Sequence, residues 1–364
     1  MTKTSSVTLV IPGKNCEKTL GKCLDSVVGL LKSGDLTEII FVNDGSTDST
    51  ADIAAKYPIT VLAGKGEGPG SARNLGWRHA TTDLVWFIDS DCVARPDALS
   101  RLLPHIDDDQ VAGVGGSYDN LHPESLLATL IHEEIIARHR RMPAEVNFLA
   151  TFNVLYRREV LAEVNGFDET LKLAQDAELA YRIRAAGHRL RFDILSKVGH
   201  HHPTNLWRYL KTQARQGYYR MALYRRHPGK MKGDSYASLL DYVQPPLAML
   251  TLASLPLLVV GFWSRNVVAL IPCILAAMLF LLQFPMTSAL IHGSDGWQRL
   301  RVAGFAVMSF VRSFARGVGM TLGALASDSS QQASTLTAGL SARQNVSVSN
   351  QALPVSHAVG GKRG

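Results

Sequence analysis

The stretch LVWFIDSD, residues 84–91, places five consecutive apolar residues before two aspartates that stand one residue apart. An unbroken apolar run of this length is typical of a strand that is covered on both faces of a sheet. Side chains two apart on an extended chain point to the same side, so Asp89 and Asp91 can reach one ligand. Hard oxygen ligands suit Mg²⁺ or Mn²⁺, which often share their coordination with substrate phosphates. Acidic turns that bind no metal show the same pattern. The pair therefore supports a metal site only together with the other acidic residues at strand ends.

The rest of the first half alternates apolar runs with helical patterns, which indicates βαβ units and a largely parallel sheet. The predicted strands are residues 7–11, 38–42, 60–62, 84–88, 111–117 and 151–156, with a short edge strand at 189–192. In open α/β sheets, ligands bind at the carboxyl ends of the strands. We therefore expect Asp44 and Asp48, which follow one strand, to lie near Asp89 and Asp91, which follow another.

Six motifs occur in a fixed order, and together they are more specific than any one of them. They are VIPGKN (10–15), NDGSTD (43–48), GSARNLG (70–76), FIDSD (87–91), NGFDE (165–169) and QDAEL (175–179). So arranged, they resemble the inverting family 2 glycosyltransferases over roughly residues 6–225. The resemblance implies an α/β GT-A fold, a Rossmann-like mixed sheet with helices on both faces, and a nucleotide-diphospho-sugar as the donor.

The resemblance also implies a role for each matching residue on the donor side. Pro12, Lys14 and Glu17 would line the pocket of the nucleotide base. Asp44 would hold the base or the ribose, although it could instead cap the helix that follows it. Arg73 would approach the pyrophosphate, which fits its place after a Gly-rich loop. Lys14 stands where the family often has an aromatic residue, which puts stacking on the base in question.

The reacting side of the site is assigned in the same way. Asp91 would be the main metal ligand, Asp89 would meet the ribose and the metal, and His200 would reach the metal or the diphosphate. Asp176 would be the general base that deprotonates the acceptor hydroxyl; a bland alternative is that it only stabilises the first turn of its helix. Gln175 stands where the family commonly has an acid. Because a neighbouring negative charge raises a carboxylate's pKa, we expect the pKa of Asp176 to be lower than in relatives that have this acid.

The charge and hydrophobic patterns predict a membrane protein. A net charge of +7 points to an anionic partner, and the basic residues favour phospholipid over nucleic acid because they cluster between Arg208 and Lys232, just before the apolar part of the chain. Residues 242–264 and 267–291 each hold about 20 apolar residues, which is enough to cross a bilayer. They predict a two-span hairpin with both basic flanks in the cytosol.

The apolar segment 302–325 carries Arg312 and Arg316 on one face, so it is predicted to lie in the membrane interface; a third span is the alternative. The predicted organisation is a catalytic domain (1–225), a basic linker (226–241), the hairpin (242–291), the interfacial helix or third span (292–326) and a disordered tail (327–364). Four scattered cysteines and the lack of an apolar signal segment favour a catalytic domain in the cytosol.

These patterns predict a multi-pass glycosyltransferase of the cytoplasmic membrane that depends on Mg²⁺ or Mn²⁺. It would move one sugar from a UDP- or GDP-sugar to a lipid-linked or glycan acceptor in surface-glycan or exopolysaccharide assembly. Single transfer is expected because residues 213–217, QARQG, lack the QxxRW signature of processive synthases. Phospholipid and other glycan-assembly proteins are the expected partners, and nucleic acid is not.

Three other functions were weighed against this one. The first is a polyprenyl-phosphate glycosyltransferase, whose product sugar bond would be labile to mild acid. The second is a non-catalytic nucleotide-sugar-binding scaffold of a glycan-assembly complex, which would bind donor without turnover. The third, a membrane nucleotidyltransferase, is disfavoured because the Gly-rich residues 64–70 lack a Walker-type ending.

Overall fold

The apolar runs of the sequence form one mixed sheet in the computed structural model, which describes residues 6–228 and 235–326. Within these ranges the strands are β1 (Val7–Gly13), β2 (Glu38–Asn43), β3 (Thr60–Ala63), β4 (Leu84–Ile88), β5 (Cys92–Ala94), β6 (Val111–Asn120), β7 (Glu145–Val146), β8 (Asn153–Arg157) and β9 (Arg189–His200). Their order across the sheet is β3-β2-β1-β4-β8-β6-β9-β5, and β7 also pairs with β9.

The first four strands in this order are parallel, and β8 then runs antiparallel between β4 and β6. The carboxyl ends of β2 and β4 therefore meet at one edge of the sheet, as the sequence predicts. One strand differs from its prediction. β9 is twelve residues long rather than four, and it lies between β6 and β5 instead of at an edge. This extension sets its last residue, His200, opposite Cys92, the first residue of β5.

Helices cover both faces of the sheet, because alternate side chains of each strand point to opposite sides. The helices of the catalytic part are α1 (Leu20–Ser33), α2 (Thr50–Ala54), α3 (Pro69–His79), α4 (Ala98–Ile106), α5 (Leu126–His139), α6 (Arg158–Glu163), α7 (Gln175–Ala185) and α8 (Leu206–Arg226). α1 and α4 pack with Leu9 and Trp86 on one face, whereas α3 and α7 pack with Val10 and Phe87 on the other. This arrangement confirms the predicted fold class.

The apolar part of the chain is also helical. Its helices are α9 (Leu239–Ser254), α10 (Pro256–Ser264), α11 (Leu270–Leu281), α12 (Phe284–His292), α13 (Trp297–Ala303) and α14 (Phe305–Leu325). Among the described residues, Val267–His292 is long and apolar enough to cross a membrane, with a mean hydropathy of 2.6. α9 and α10 qualify as a second span only if they count as one segment, since they meet at a 42° bend where Pro256 begins α10.

The basic cluster before the hairpin lies largely on α8, a helix that its charge pattern does not predict. α8 packs closely along α14, where a Cβ added at Gly319 would overlap the carbonyl oxygen of Ala214. Arg312 of α14 is paired with Glu134 of α5, and both side chains are almost fully buried. The charge expected to keep residues 302–325 at the lipid surface is therefore neutralised within the protein. The domain boundaries remain predictions, and the predicted tail (327–364) lies outside the described residues.

Candidate active site

Asp44 organises the Gly-rich loop at the carboxyl end of β2. Its two carboxylate oxygens accept hydrogen bonds from the backbone N–H groups of Gly66 and Gly68, each at 2.8 Å, and the residue is 4% exposed. Both glycines have positive φ angles, which explains why this loop needs glycine. The carboxylate predicted to hold the base or the ribose is thus engaged with the loop that lies beside it.

The residues predicted to line the base pocket lie at the end of β1 and on the loop that follows it, beside the loop after β2. Pro12 is buried in β1, whereas Lys14 and Glu17 are exposed. The Glu17 carboxylate accepts from the backbone N–H of Ser49 at 3.2 Å, and Asn15 accepts from that of Thr47 at 2.8 Å. These cross-links hold the two loops together and leave the Lys14 side chain in solvent.

Arg73 connects two parts of the site from inside the protein. It lies on α3 and its side chain is 6% exposed. One guanidinium nitrogen, Nη2, donates to Asp89 Oδ1 at 2.7 Å. The other, Nη1, donates at 2.7 Å to the Gln175 side-chain oxygen in the amide orientation that satisfies both of its ends. The ring of Phe167 lies 5.7 Å from the guanidinium carbon. Arg73 therefore ties the end of β4 to the start of α7.

Asp91 and His200 approach each other because β5 pairs antiparallel with β9, which sets Cys92 opposite His200. The distance from His200 Nε2 to Asp91 Oδ2 is 3.7 Å. Burial raises the pKa of Asp91, His200 opposes that rise, and Asp89 adds to it. In the described part of the chain, no three His, Cys, Asp or Glu side chains gather as a metal cluster. One carboxylate and one imidazole still fit a divalent ion that takes its remaining ligands from phosphates and water.

The three successive histidines at the end of β9 diverge, as expected for an extended chain. His200 and His202 approach each other with their Nδ1 atoms 3.3 Å apart, and His202 continues to His132 of α5 at 3.3 Å. His201 points the other way, to His122 at 2.8 Å. The arrangement does not direct these three side chains to one zinc ion.

Asp176 lies in the first turn of α7. This helix begins directly after Ala174, which has a left-handed φ of 64°. Its Oδ1 atom accepts from the backbone N–H of Ala177 at 2.8 Å. Burial raises the pKa of Asp176, while that N–H group and the positive charges of Arg73 and Arg220 lower it. The net shift is upward, because burial outweighs the N–H group and the two positive charges.

Asn74 is a positioning residue that the sequence motifs contain but that was not assigned a role. Its side-chain amide donates to the carbonyl of Phe167 at 2.8 Å and to Glu169 at 2.7 Å. Its oxygen accepts from the Phe167 N–H and from Trp77. Asn74 of the GSARNLG motif thus holds the NGFDE motif by hydrogen bonds. The joint occurrence of the two motifs was the sequence signal that could have predicted this contact.

Comparison with protein families agrees with this geometry. Residues 8–164 match the model of the family described as glycosyl transferase family 2. The match includes the residues from Pro12 to Asp91 that were assigned roles, and it ends before Asp176 and His200.

Two curated relatives share part of the chain. The pre-mycofactocin glycosyltransferase of Mycobacterium tuberculosis is 33% identical over 235 residues, which is 62% of this chain and 48% of the relative. The 4,4'-diaponeurosporenoate glycosyltransferase of Staphylococcus aureus is 36% identical over 105 residues, or 27% of each chain. The chain thus spans about half the length, or less, of these relatives.

A solved structure supports the fold. The mannosyltransferase PcManGT of Pyrobaculum calidifontis, in complex with GDP-Man and Mn²⁺, matches with a TM-score of 0.53 and 16% identity. The match covers 89% of this chain and 86% of that one, so it extends beyond the nine-stranded sheet of the described residues. It confirms the GT-A type of fold.

The buried pairing of Arg73 predicts a strong effect on stability. Replacing Arg73 with Met removes the partner of Asp89 and Gln175, so we expect the free energy of unfolding to fall by about 2 to 3 kcal/mol. Arg78→Met on the same helix is the control, because its pair with Glu169 is exposed and should contribute less than about 1 kcal/mol. Urea unfolding of both variants, followed by tryptophan fluorescence, gives the comparison. Equal losses would contradict the bridging role.

Proposed function

Because the chain carries a glycosyltransferase domain of family 2, we propose that it moves one sugar from a UDP- or GDP-sugar to a membrane-associated acceptor. The observation that carries the proposal is that the buried Arg73 joins Asp89 to Gln175, the neighbour of Asp176, while His200 lies 3.7 Å from Asp91. Asp91 lies directly before β5 and His200 ends β9, which supports a site at the sheet edge where α/β folds bind their ligands.

The donor side would bind a nucleotide diphosphate with a divalent ion, Mg²⁺ or Mn²⁺. Asp91 and His200 would hold the ion, and Asp89, fixed by Arg73, would lie next to it or to the ribose. When bound, such an ion stabilises the negative charge that develops on the departing diphosphate. The solved mannosyltransferase of similar fold is a complex with GDP-Man and Mn²⁺, which supports this choice. The loops with Lys14, Glu17 and Asp44 would border the nucleotide.

The acceptor side would use Asp176 as the general base. The acceptor oxygen attacks the anomeric carbon, the bond from that carbon to the diphosphate oxygen breaks, and the acceptor proton passes to the Asp176 carboxylate. Attack opposite the leaving group inverts the anomeric configuration. A carboxylate whose pKa burial has raised is a better proton acceptor than an ordinary aspartate.

A membrane location and a lipid-linked acceptor would follow from the C-terminal helices. Large apolar side chains are exposed there, including Phe262 and Trp263 at 80% and 81%. An exposed apolar surface of this kind needs a lipid or protein partner. We place the helices in the cytoplasmic membrane, with the catalytic part on the cytosolic side next to other glycan-assembly proteins. An acceptor held in the bilayer would then lie near the active site.

Two substitutions test the proposed catalytic roles. Asp91→Ala and Asp176→Asn should each lower sugar transfer by about 10²- to 10⁴-fold, because the first removes a metal ligand and the second the base. Asp83→Asn, which changes an exposed aspartate, should retain wild-type transfer. Transfer is followed as release of UDP or GDP with Mn²⁺ present. Full activity of Asp91→Ala, or donor binding without turnover on a broad acceptor panel, would contradict the proposal.

The pKa of Asp176 predicts how the rate depends on pH. Transfer should fall as the pH is lowered through this pKa, because only the deprotonated carboxylate accepts a proton. Arg220→Gln removes a positive charge that lowers the pKa, so the acid limb of kcat/KM should move to higher pH. Arg215→Gln changes an exposed arginine of the same helix that is not a main influence on the pKa of Asp176, and should leave the limb in place. Identical profiles for all three proteins would argue against Asp176 as the base.

A further inference from the structure

An apolar cavity of about 180 Å³ lies between the sheet and α5. Its walls come from β6, α5, the segment between β7 and β8, β9 and the chain just before α9. Five aromatic side chains line it: Tyr118, Phe148, Phe152, Phe192 and Tyr236. The aliphatic side chains of Ile135, Met142 and Leu149 complete most of the remaining wall.

The cavity lies between the two halves of the proposed active site. On one side, the ring of Tyr118 stacks on Phe152 and lies 4.9 Å from the ring of His200. On the other side, Phe148 packs against the cluster of Ala177, Tyr181 and Leu223, and Ala177 directly follows Asp176. A group in this cavity would therefore be flanked by the proposed metal ligand and by the proposed base.

The largely apolar wall favours a hydrocarbon group over a sugar as the occupant. A buried hydroxyl needs a hydrogen-bond partner, and a wall of hydrocarbon rings offers few. One polar group of the wall, His139, is engaged at its Nδ1 atom by Ser117 Oγ at 2.8 Å. An apolar cavity of about 150 Å³ is large enough to bind benzene, so this one has room for one ring or a short branched hydrocarbon.

The cavity is also connected to the apolar helices. Tyr236 lies just before α9, and its ring lies 5.3 Å from the guanidinium carbon of Arg138. Arg138 in turn donates to both carboxylate oxygens of Asp241 in the first turn of α9, each at 2.7 Å. One wall is thus fixed to α9, the first helix of the proposed membrane segment.

We infer that this cavity binds an apolar group of the acceptor, a ring or a branched hydrocarbon unit directly next to the oxygen that receives the sugar. The inference rests on the proposed function and specifies its acceptor class. A sugar at the reducing end of a glycan acceptor would not fill the cavity, whereas the hydrocarbon next to an alcohol or a phosphate would.

Binding is tested with 4-fluorobenzyl alcohol, observed by ¹⁹F NMR on the full-length protein in detergent. Saturable line broadening is expected, and benzyl alcohol should reverse it while glycerol should not. Ile135→Phe fills the cavity and should weaken binding at least fivefold. Leu103→Phe adds the same volume on α4, at a side chain that does not line the cavity, and should bind as the wild type does. Partitioning into detergent is common to all three proteins and cancels.

The result that would overturn the inference is an absence of saturable binding, or equal binding by Ile135→Phe and the wild type. If Ile135→Phe does not fold, Met142→Phe fills the cavity from another position and takes its place. Transfer gives a second readout: benzyl alcohol should accept sugar at least tenfold faster than glycerol, with each rate divided by donor hydrolysis in the same protein. Absent sugar transfer to every acceptor tested, with intact binding, would refute the proposed function and leave the cavity assignment standing.

Discussion

The buried guanidinium of Arg73 is the interaction on which the proposed site depends. It reaches the end of β4 through Asp89 and the start of α7 through Gln175, so one side chain fixes the spacing between donor and acceptor sides. A planar guanidinium can do this because its donors are rigidly arranged, which a lysine ammonium does not offer. Its charge also lowers the pKa of Asp176, opposing the effect of burial. The same guanidinium therefore sets both the position of the start of α7 and part of the electrostatic environment of Asp176.

The first half of the fold could be predicted from the sequence because its signals are local. Unbroken apolar runs identified β1, β2 and β4, and their parallel pairing follows from the helical segments between them. The order of the motifs indicated the family 2 glycosyltransferases, whose model residues 8–164 match, without any knowledge of contacts. Asp44 shows the limit of such reasoning. The motif predicted only contact with the nucleotide, whereas its carboxylate accepts hydrogen bonds from Gly66 and Gly68 and so holds the Gly-rich loop in place.

Features that depend on distant contacts could not be predicted in the same way. The length of β9 was underestimated because polar residues such as Asp193 and Lys197 interrupt its apolar pattern, and only pairing with β6 and β5 explains the full strand. Arg312 was interpreted as a surface charge because its partner, Glu134, is 178 residues away. Burial would raise the pKa of Glu134, but Arg312 and Arg138 lower it to about 2, so the acid stays charged within the protein.

The central claim is that this edge of the sheet binds a nucleotide-sugar together with a divalent ion. Thermal unfolding of the full-length protein with UDP-glucose or GDP-mannose, each with and without Mn²⁺, tests it most directly, because a ligand that binds only the native state raises its stability. The account predicts that one of the two donors raises the unfolding midpoint and that the rise requires Mn²⁺. No change with either donor, or an equal rise without the metal, would contradict it.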